Sequence, residues 1–365
     1  MRAAVLYETN QPLVIKQVEI DPPQAYEVKV KIAAAGVCRS DLHFMKGEAI
    51  INTPAVLGHE GSGIVMEIGE NVTTVAPGDH VILSFAPYCG RCESCLTGHP
   101  NTCDTHQKSS GKMFDGTSRI HVEGQDLTQM GKVGCFAEES ILPETGVSKI
   151  DSNISLQAAA LIGCSVTTGV GTAIYAAGVT SGSTVAVIGC GGVGLNVIQG
   201  ARVAGATRII AVDINDAALE FAGKFGATDY VNPRDGDPVK AIRDLTGGLG
   251  AEYAFEAFGS SETLTMAFEA VRKHGIAVIA GLSPVGDQAA IDGVMLVRQE
   301  KTLKGAYYGA SRPAIDFHHM VDMYQSGQLD VDGLITRTYT LDQINQAYEE
   351  LDRGAVGRGV ITFDV

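Results

Sequence analysis

The stretch TVAVIGCGGVG, residues 184–194, constrains the fold more than any other part of this chain. Its first five residues are apolar without alternation, which suits a strand covered on both faces of a parallel sheet. Three glycines follow at the spacing G-x-G-x-x-G, and a helical pattern then runs through Ala204. In that strand–loop–helix setting each glycine has a task. Gly189 permits the tight turn, Gly191 lets the backbone approach a pyrophosphate at the positive end of a helix, and Gly194 lets helix and strand pack closely. Gly192 and Val193 complete the loop. A second apolar run, RIIAVD, closes on Asp213, 19 residues after Gly194. A carboxylate there can accept hydrogen bonds from an adenosine ribose and repel a 2′-phosphate, which carries about −1.5 to −2 charges. These residues predict a site for NAD rather than NADP; a doubly wound turn that binds nothing is the alternative.

The runs TDYVN, AEYAFEAF and GIAVIAGL, with helical segments such as AALEFAGKFGA between strands, extend the alternation. Strand–helix alternation is the mark of a doubly wound parallel sheet in an α/β protein. The first 150 residues differ. EVKVKIAAAG alternates at period two, and GSGIVMEIG and DHVILSF are short apolar runs bounded by Gly, Pro and Asp, as in an antiparallel barrel-like domain. Residues 104–134 are polar and Gly-rich and read as a long excursion, and short elements return after Gly309. At 365 residues, two domains are expected. A net charge of −15 excludes nucleic acid and anionic membrane surfaces as partners. The N-terminus has no signal-peptide pattern, which predicts a cytoplasmic protein. Ser152–Ala201 contains no charged residue, but glycines and Ser/Thr pairs interrupt it, so it reads as a buried cleft wall rather than a membrane span.

Four of eight cysteines fall in YCGRCESCLTGHPNTC. Cys89, Cys92, Cys95 and Cys103, spaced C-x2-C-x2-C-x7-C, can close a tetrahedral zinc shell with no open position, a structural site. Disulfides, an iron–sulfur cluster and a nucleic-acid-binding zinc ribbon are the alternatives. A reducing cytosol argues against the first, and the loop is not basic enough for the last. Cys38 in GVCRSDLH, His59 in GHEGSG and Cys164 in LIGCSVTTG would together leave a fourth metal position open, as catalytic zinc requires. Spacing alone does not join these three.

The stretch GHEGSGIVMEIGENV resembles the zinc signature of the zinc-dependent medium-chain alcohol dehydrogenases. GVCRSDLH, GHE, the four-cysteine lobe, DGTSR, GCGGVG and VDIN follow that family's order over essentially the whole chain. LSFAPYCGRC, GCSVTTG and QGARVAGA are most similar to bacterial members, including benzyl-alcohol, mycothiol-dependent and nicotinoprotein enzymes. The resemblance implies a GroES-like catalytic domain, residues 1–165 and 309–365, with the structural zinc lobe at 88–104. It also implies a Rossmann NAD domain at 166–308, two zinc ions per subunit, NAD, a small alcohol or aldehyde as substrate, and a homodimer or homotetramer paired through the strand in KTLKGAYYG.

The residue roles follow from the same resemblance. Cys38, His59 and Cys164 are implied as the catalytic zinc ligands. Asp41 orients His59, and Glu60 is a conditional neighbour of the zinc. Ser40 takes the substrate proton, and His43 ends the relay to solvent. Arg39 and Arg358 clamp the pyrophosphate, Thr168 and Val193 hold the nicotinamide, and Phe85 and Ala49 line the substrate pocket. The implied activity is reversible oxidation of a primary alcohol, aromatic alcohols included. A nicotinoprotein that keeps NAD(H) bound, a thiol-adduct formaldehyde dehydrogenase and a non-enzymatic zinc or redox protein are the other readings. Two positions depart from the family. Ala218 replaces a ribose-supporting lysine, and Gln107 beside Lys108 stands where thiol-adduct members carry a basic anchor. His318 and His319 read as helix surface, His274 as a helix end and Cys135 as packing. Cys190 reads as packing too, although a helix N-terminus tends to lower a thiol pKa.

Overall fold

The computed structural model describes residues 1–364, which divide into two compact units: residues 1–164 with 312–364, and Ser165–Ser311. The apolar runs of the second unit form six parallel strands. Their spatial order is Asp229–Val231, Arg208–Val212, Thr184–Ile188, Ala251–Glu256, Val271–Ile279 and Thr302–Gly305. The chain starts in the middle, winds one way and then the other. Its reversal point therefore lies between Thr184–Ile188 and Ala251–Glu256, where ligands of such sheets bind. Ile188 pairs with Val212 on one side and Glu256 on the other. Ala186, Ile210, Ala254 and Ala277 pack with Phe268 and Ala267 from the helix Ser261–Ala270. The close approach expected at Gly194 is real: a Cβ there would lie 1.7 Å from the Gly189 carbonyl oxygen. At Gly191 nothing lies within 4 Å of the same point.

The first unit is built on antiparallel pairs. The long strand Glu27–Gly36 is central and pairs with Gly61–Ile68, Glu139–Pro143 and Arg358–Thr362. Its alternation buries Val28, Val30 and Ile32 against Val65, Val81, Leu83 and Leu142. The C-terminal helix Ile344–Asp352 adds Ile344, Ala347 and Tyr348 to the same core.

Three expectations change. Residues 104–134 are not a bare excursion. They contain the helix Asp104–Lys108 and the strands Ile120–Val122, Gln125–Asp126 and Thr128–Gln129. Ile120, Val122 and Leu127 fill a second small core with Val5, Val18 and Val56, a partnership invisible to a local window. His274 is not a helix end; it lies within Val271–Ile279 at φ 62°, paired with Glu300. Residues 309–311 stay with the second unit rather than returning to the first, because Gly309 packs directly on the Thr167 and Thr168 carbonyls.

The helical run Leu156–Ala177 is long and apolar enough to cross a membrane, yet 89% of its most apolar window is buried. Leu156–Leu161 packs on the strands of the first unit and Thr167–Gly171 on the helix Gly192–Val203 of the second.

The DGTSR segment is held by a buried arginine. Arg119 donates to both oxygens of Glu27 at 2.8 Å, to Asp115 at 2.5 Å and to the Thr117 hydroxyl. Burial opposes ionisation of Asp115, but Arg119 and the Thr117 amide and hydroxyl hold its carboxyl down at about 2. A depressed carboxylate stabilises the fold fully above its unfolded pKa of about 3.9 and loses that contribution as pH falls towards 2. Asp115→Asn is therefore expected to cost about 1 kcal/mol at pH 7, a figure that allows for solvent screening at a half-exposed group. Urea melts of both proteins across pH 2–7 check this, with the difference shrinking below pH 4; a constant difference would disprove it.

Candidate active site and metal centres

Three segments converge on one buried point. Cys38 precedes the short helix Arg39–Met45 with extended backbone. That helix turns Asp41, Leu42 and Met45 inward and leaves Ser40 and His43 half-buried. His59 lies just before the strand Gly61–Ile68. Cys164 lies in Ile162–Val166, where the helical run widens to π geometry, a distortion often found at functional sites. One ligand atom from each of Cys38, His59 and Cys164 lies within 4.8 Å of the others, and all three residues are buried. His59 Nε2 is 3.3 Å from Cys164 Sγ.

Asp41 holds the other face of the imidazole. Its Oδ1 lies 3.2 Å from His59 Nδ1 and accepts from Gly58 N at 2.9 Å. This fixes which histidine nitrogen faces the sulfurs. Burial works against the imidazolium, yet the Asp41 carboxylate and the Cys38 sulfur hold the His59 pKa well above the ordinary value. The Cys164 thiol, hydrogen-bonded to Cys38, and His59 together keep the Cys38 thiol well below its usual range against the cost of burial. Two sulfurs and an imidazole that share protons this closely are a donor set suited to a divalent cation.

Around this centre, Arg358 donates to the Glu60 carboxylate, and both residues are buried. Ser40 Oγ is 3.8 Å from Cys38 Sγ. His43 Nδ1 lies 2.5 Å from Glu48 Oε2, and the Ala49 amide donates to the His43 carbonyl at 3.1 Å. The Phe85 ring meets His59 edge-on, with centroids 5.2 Å apart. Arg39 is exposed at the start of its helix. Glu48 and Tyr348 had no sequence signal, and the partnership of Glu60 with Arg358 had none either. Glu48 faces His43; Glu60 engages Arg358 across 298 residues; and the buried Tyr348 hydroxyl has its pKa raised by burial, then by Asp41 and Cys38.

The four-cysteine loop forms a second cluster. One sulfur from each of Cys89, Cys92, Cys95 and Cys103 lies within 4.8 Å of the others. Cys92 Sγ is 3.4 Å from Cys95 Sγ and 3.8 Å from Cys103 Sγ. Burial raises the Cys89 thiol, but the Thr105 hydroxyl and the Arg91 and Cys92 amides bring it down to about 6. Backbone donors aimed at sulfur favour thiolate, the form that ligates metal.

In the second unit, Asp213 closes the strand–loop–helix. Its two oxygens accept from Cys190 N at 2.8 Å and Asn215 N at 2.9 Å, so it latches the glycine loop. The Gly192–Val203 helix has no side-chain cap, and Gly189 takes φ 93°. Thr168 is buried, and its neighbour Gly169 lies against the Val193 carbonyl. Burial and then Asp213 push the Cys190 thiol up, opposite to the effect of a helix N-terminus. Ala218 is buried, and Gln107 and Lys108 are exposed. Glu256 was not singled out by sequence. At the reversal point it accepts from Phe258 N at 2.8 Å and Gly259 N at 2.7 Å.

Comparison with known proteins agrees with this geometry. Residues 24–152 match the alcohol dehydrogenase GroES-like domain, and residues 192–326 match the zinc-binding dehydrogenase family. A Mycobacterium tuberculosis protein named "Putative alcohol dehydrogenase D" is 40% identical over 363 residues, covering 98% of each chain. The crystal structure of benzyl alcohol dehydrogenase from Acinetobacter calcoaceticus superposes with a TM-score of 0.94 at 34% identity, covering 100% of this chain and 99% of that one. A zinc-binding dehydrogenase from Sinorhizobium meliloti, solved bound to NADP, gives 0.82 at 26% identity and covers 99% of each. With a GroES-like domain, a Rossmann-like domain and a match along nearly its whole length, the chain belongs to the zinc-dependent alcohol dehydrogenases of the medium-chain family.

Proposed function

We propose that the protein oxidises a primary alcohol, aromatic in preference to short aliphatic, to its aldehyde with NAD, and runs the reverse reaction. The observation that carries this reading is the buried convergence of Cys38, His59 and Cys164, with His59 oriented by Asp41. These three residues would hold a zinc ion, and zinc there supplies a Lewis acid that lowers the pKa of a hydroxyl, as it lowers that of water from about 15.7 to about 7. Ser40, beside Cys38, would take the substrate proton, and His43, its Nδ1 held by Glu48, would pass it on through the other ring nitrogen. Phe85 supplies an apolar wall beside His59, which suits an aromatic ring. The likeness to a benzyl alcohol dehydrogenase supports the same substrate class. Gln107 and Lys108, where thiol-adduct members carry a basic anchor, are both exposed.

Cys89, Cys92, Cys95 and Cys103 would hold a second zinc with a closed shell. Such an ion stabilises the loop and does no chemistry. Cys164→Ser is expected to remove one zinc and turnover while the protein still folds and binds NADH. Cys92→Ser is expected to lower the melting temperature first. Elemental analysis, melts and NADH titration of both variants decide; a Cys92→Ser protein that melts normally but loses turnover selectively would contradict these roles.

NAD would lie on the Gly189–Gly194 loop, with its ribose at Asp213, and supplies the hydride acceptor. Since the Asp213 oxygens already latch the loop, Asp213→Gly is expected to lower stability as well as narrow the preference for NAD over NADP, by about 10- to 100-fold. Gly191→Ala is expected to melt normally and bind NADH weakly, because its Cβ would enter only the space a pyrophosphate needs. Equal kcat/KM for NAD and NADP in the unmodified enzyme would refute the assignment.

We further propose a homodimer or a dimer of such dimers, working in the cytoplasm. Thr302–Gly305 is an edge strand with every residue exposed, and unpaired edges of this kind invite a second copy. Light scattering at micromolar concentration is expected to give at least twice the monomer mass, and a monomer would overturn this.

A further inference from the structure

The strand Ala251–Glu256 ends at the reversal point of the parallel sheet on an acid with no exposed surface. A buried carboxyl needs donors, because its desolvation is otherwise uncompensated. Glu256 Oε1 has three: the Phe258 amide at 2.8 Å, the Gly259 amide at 2.7 Å and the Thr263 hydroxyl at 2.9 Å. They fold the chain back directly after the strand and fasten the turn to the helix Ser261–Ala270. Oε2 faces Gly281, where an added Cβ would run into it. The Ala280 and Gly281 amides, just past the neighbouring strand Val271–Ile279, donate to the Glu256 carbonyl at 2.9 and 3.1 Å. One residue thus holds the ends of two strands. Burial raises its carboxyl pKa against the pull of the Gly259 and Phe258 amides.

The turn that Glu256 holds lies against the start of the glycine loop. The Ala257 amide donates to the Ile188 carbonyl at 2.9 Å. Gly189 approaches the turn so closely that a Cβ there would lie 3.1 Å from both the backbone nitrogen and the Cβ of Phe258. On the other side of the loop, Asp213 accepts from the Cys190 amide at 2.8 Å. The loop therefore begins between two strands that each close on an acid. Asp213 grips it directly, and Glu256, enclosed by protein, grips it through residues 257–259.

We propose that Glu256 is a positioning residue for the cofactor: its carboxyl locks the Phe258–Gly259 turn against Gly189 and so keeps the glycine loop in the shape that takes a pyrophosphate. This rests on the reading that NAD lies on the Gly189–Gly194 loop. The three donors ask for an acceptor oxygen of the right reach rather than for a charge. Gln keeps that oxygen, Leu removes it and Asp withdraws it by one methylene.

The test is titration with NADH and with ADP-ribose, which carries the pyrophosphate without the nicotinamide, at a temperature well below melting. Melts and zinc content are measured on every variant. Glu256→Leu is expected to weaken both ligands about tenfold, because the amides it leaves unpaired no longer fix the turn. In turnover, KM for NAD is expected to rise while KM for benzyl alcohol stays unchanged. Glu256→Gln is expected to bind both ligands within about threefold of the unmodified protein. Glu256→Asp is expected to resemble Glu256→Leu, and it carries the test if Glu256→Leu does not fold. A residue that only braces the fold would lower the melting temperature and leave both titrations unchanged. That result, or a Glu256→Gln protein that binds as weakly as Glu256→Leu, overturns the proposal. Gly191→Ala separates it from the reading on which it rests. If Gly191→Ala binds NADH as tightly as the unmodified protein, both fall; if Gly191→Ala binds weakly and Glu256→Leu normally, only the role of Glu256 falls.

Discussion

The buried Asp41 carboxylate is the interaction on which the first unit's site depends. It has no exposed surface, and it binds the backbone of Gly58 and the imidazole of His59 at once. That pair of contacts joins a helix, a turn and the start of a strand. It also presents His59 Nε2 to Cys164, contributed from a helix 105 residues further along. The carboxylate is thus both a structural clasp and the group that orients the ring. Nearby, Glu60 and Arg358 neutralise each other in the same low-dielectric interior, where either alone would be costly.

In the second unit one carboxylate again does two things. Asp213 binds the amides of Cys190 and Asn215, which closes the glycine loop on the strand that follows it. Gly194 brings the helix within contact of the Gly189 carbonyl, while Gly191 keeps its surroundings empty. Packing tolerates no side chain at one of these glycines, and only the space before the loop would be lost at the other. In the first unit, Lys132 reaches back to His106 and Ser109 at the helix that follows Cys103, so a loop with little core of its own is tied to the rest of the unit.

How much of this was legible in the sequence differs by the range of each interaction. The parallel sheet was legible because its strands are continuous apolar runs and its helices keep their own period, and each is a pattern of one residue against its near neighbours. The four-cysteine cluster was legible for the same reason: its ligands span 15 positions, Cys89 to Cys103, and close on themselves. Residues 104–134 were not, since their apolar residues have partners in the first strands of the chain and not in each other. Cys38, His59 and Cys164 could be grouped only by resemblance, because no local pattern links them.

By itself, then, the sequence determined what local chemistry can specify: a glycine loop between strand and helix, a closed set of four thiols, an acidic residue at the end of the next strand, and two regions of different strand period. Only the tertiary structure decided that Cys38, His59 and Cys164 meet within 4.8 Å, that Glu60 answers Arg358, and that Lys132 is buried against His106. The physical reason is that a charge or a ligand is specified by what surrounds it. Those surroundings come from segments a hundred or more residues apart at the buried centre, and the packing of the whole unit brings them together.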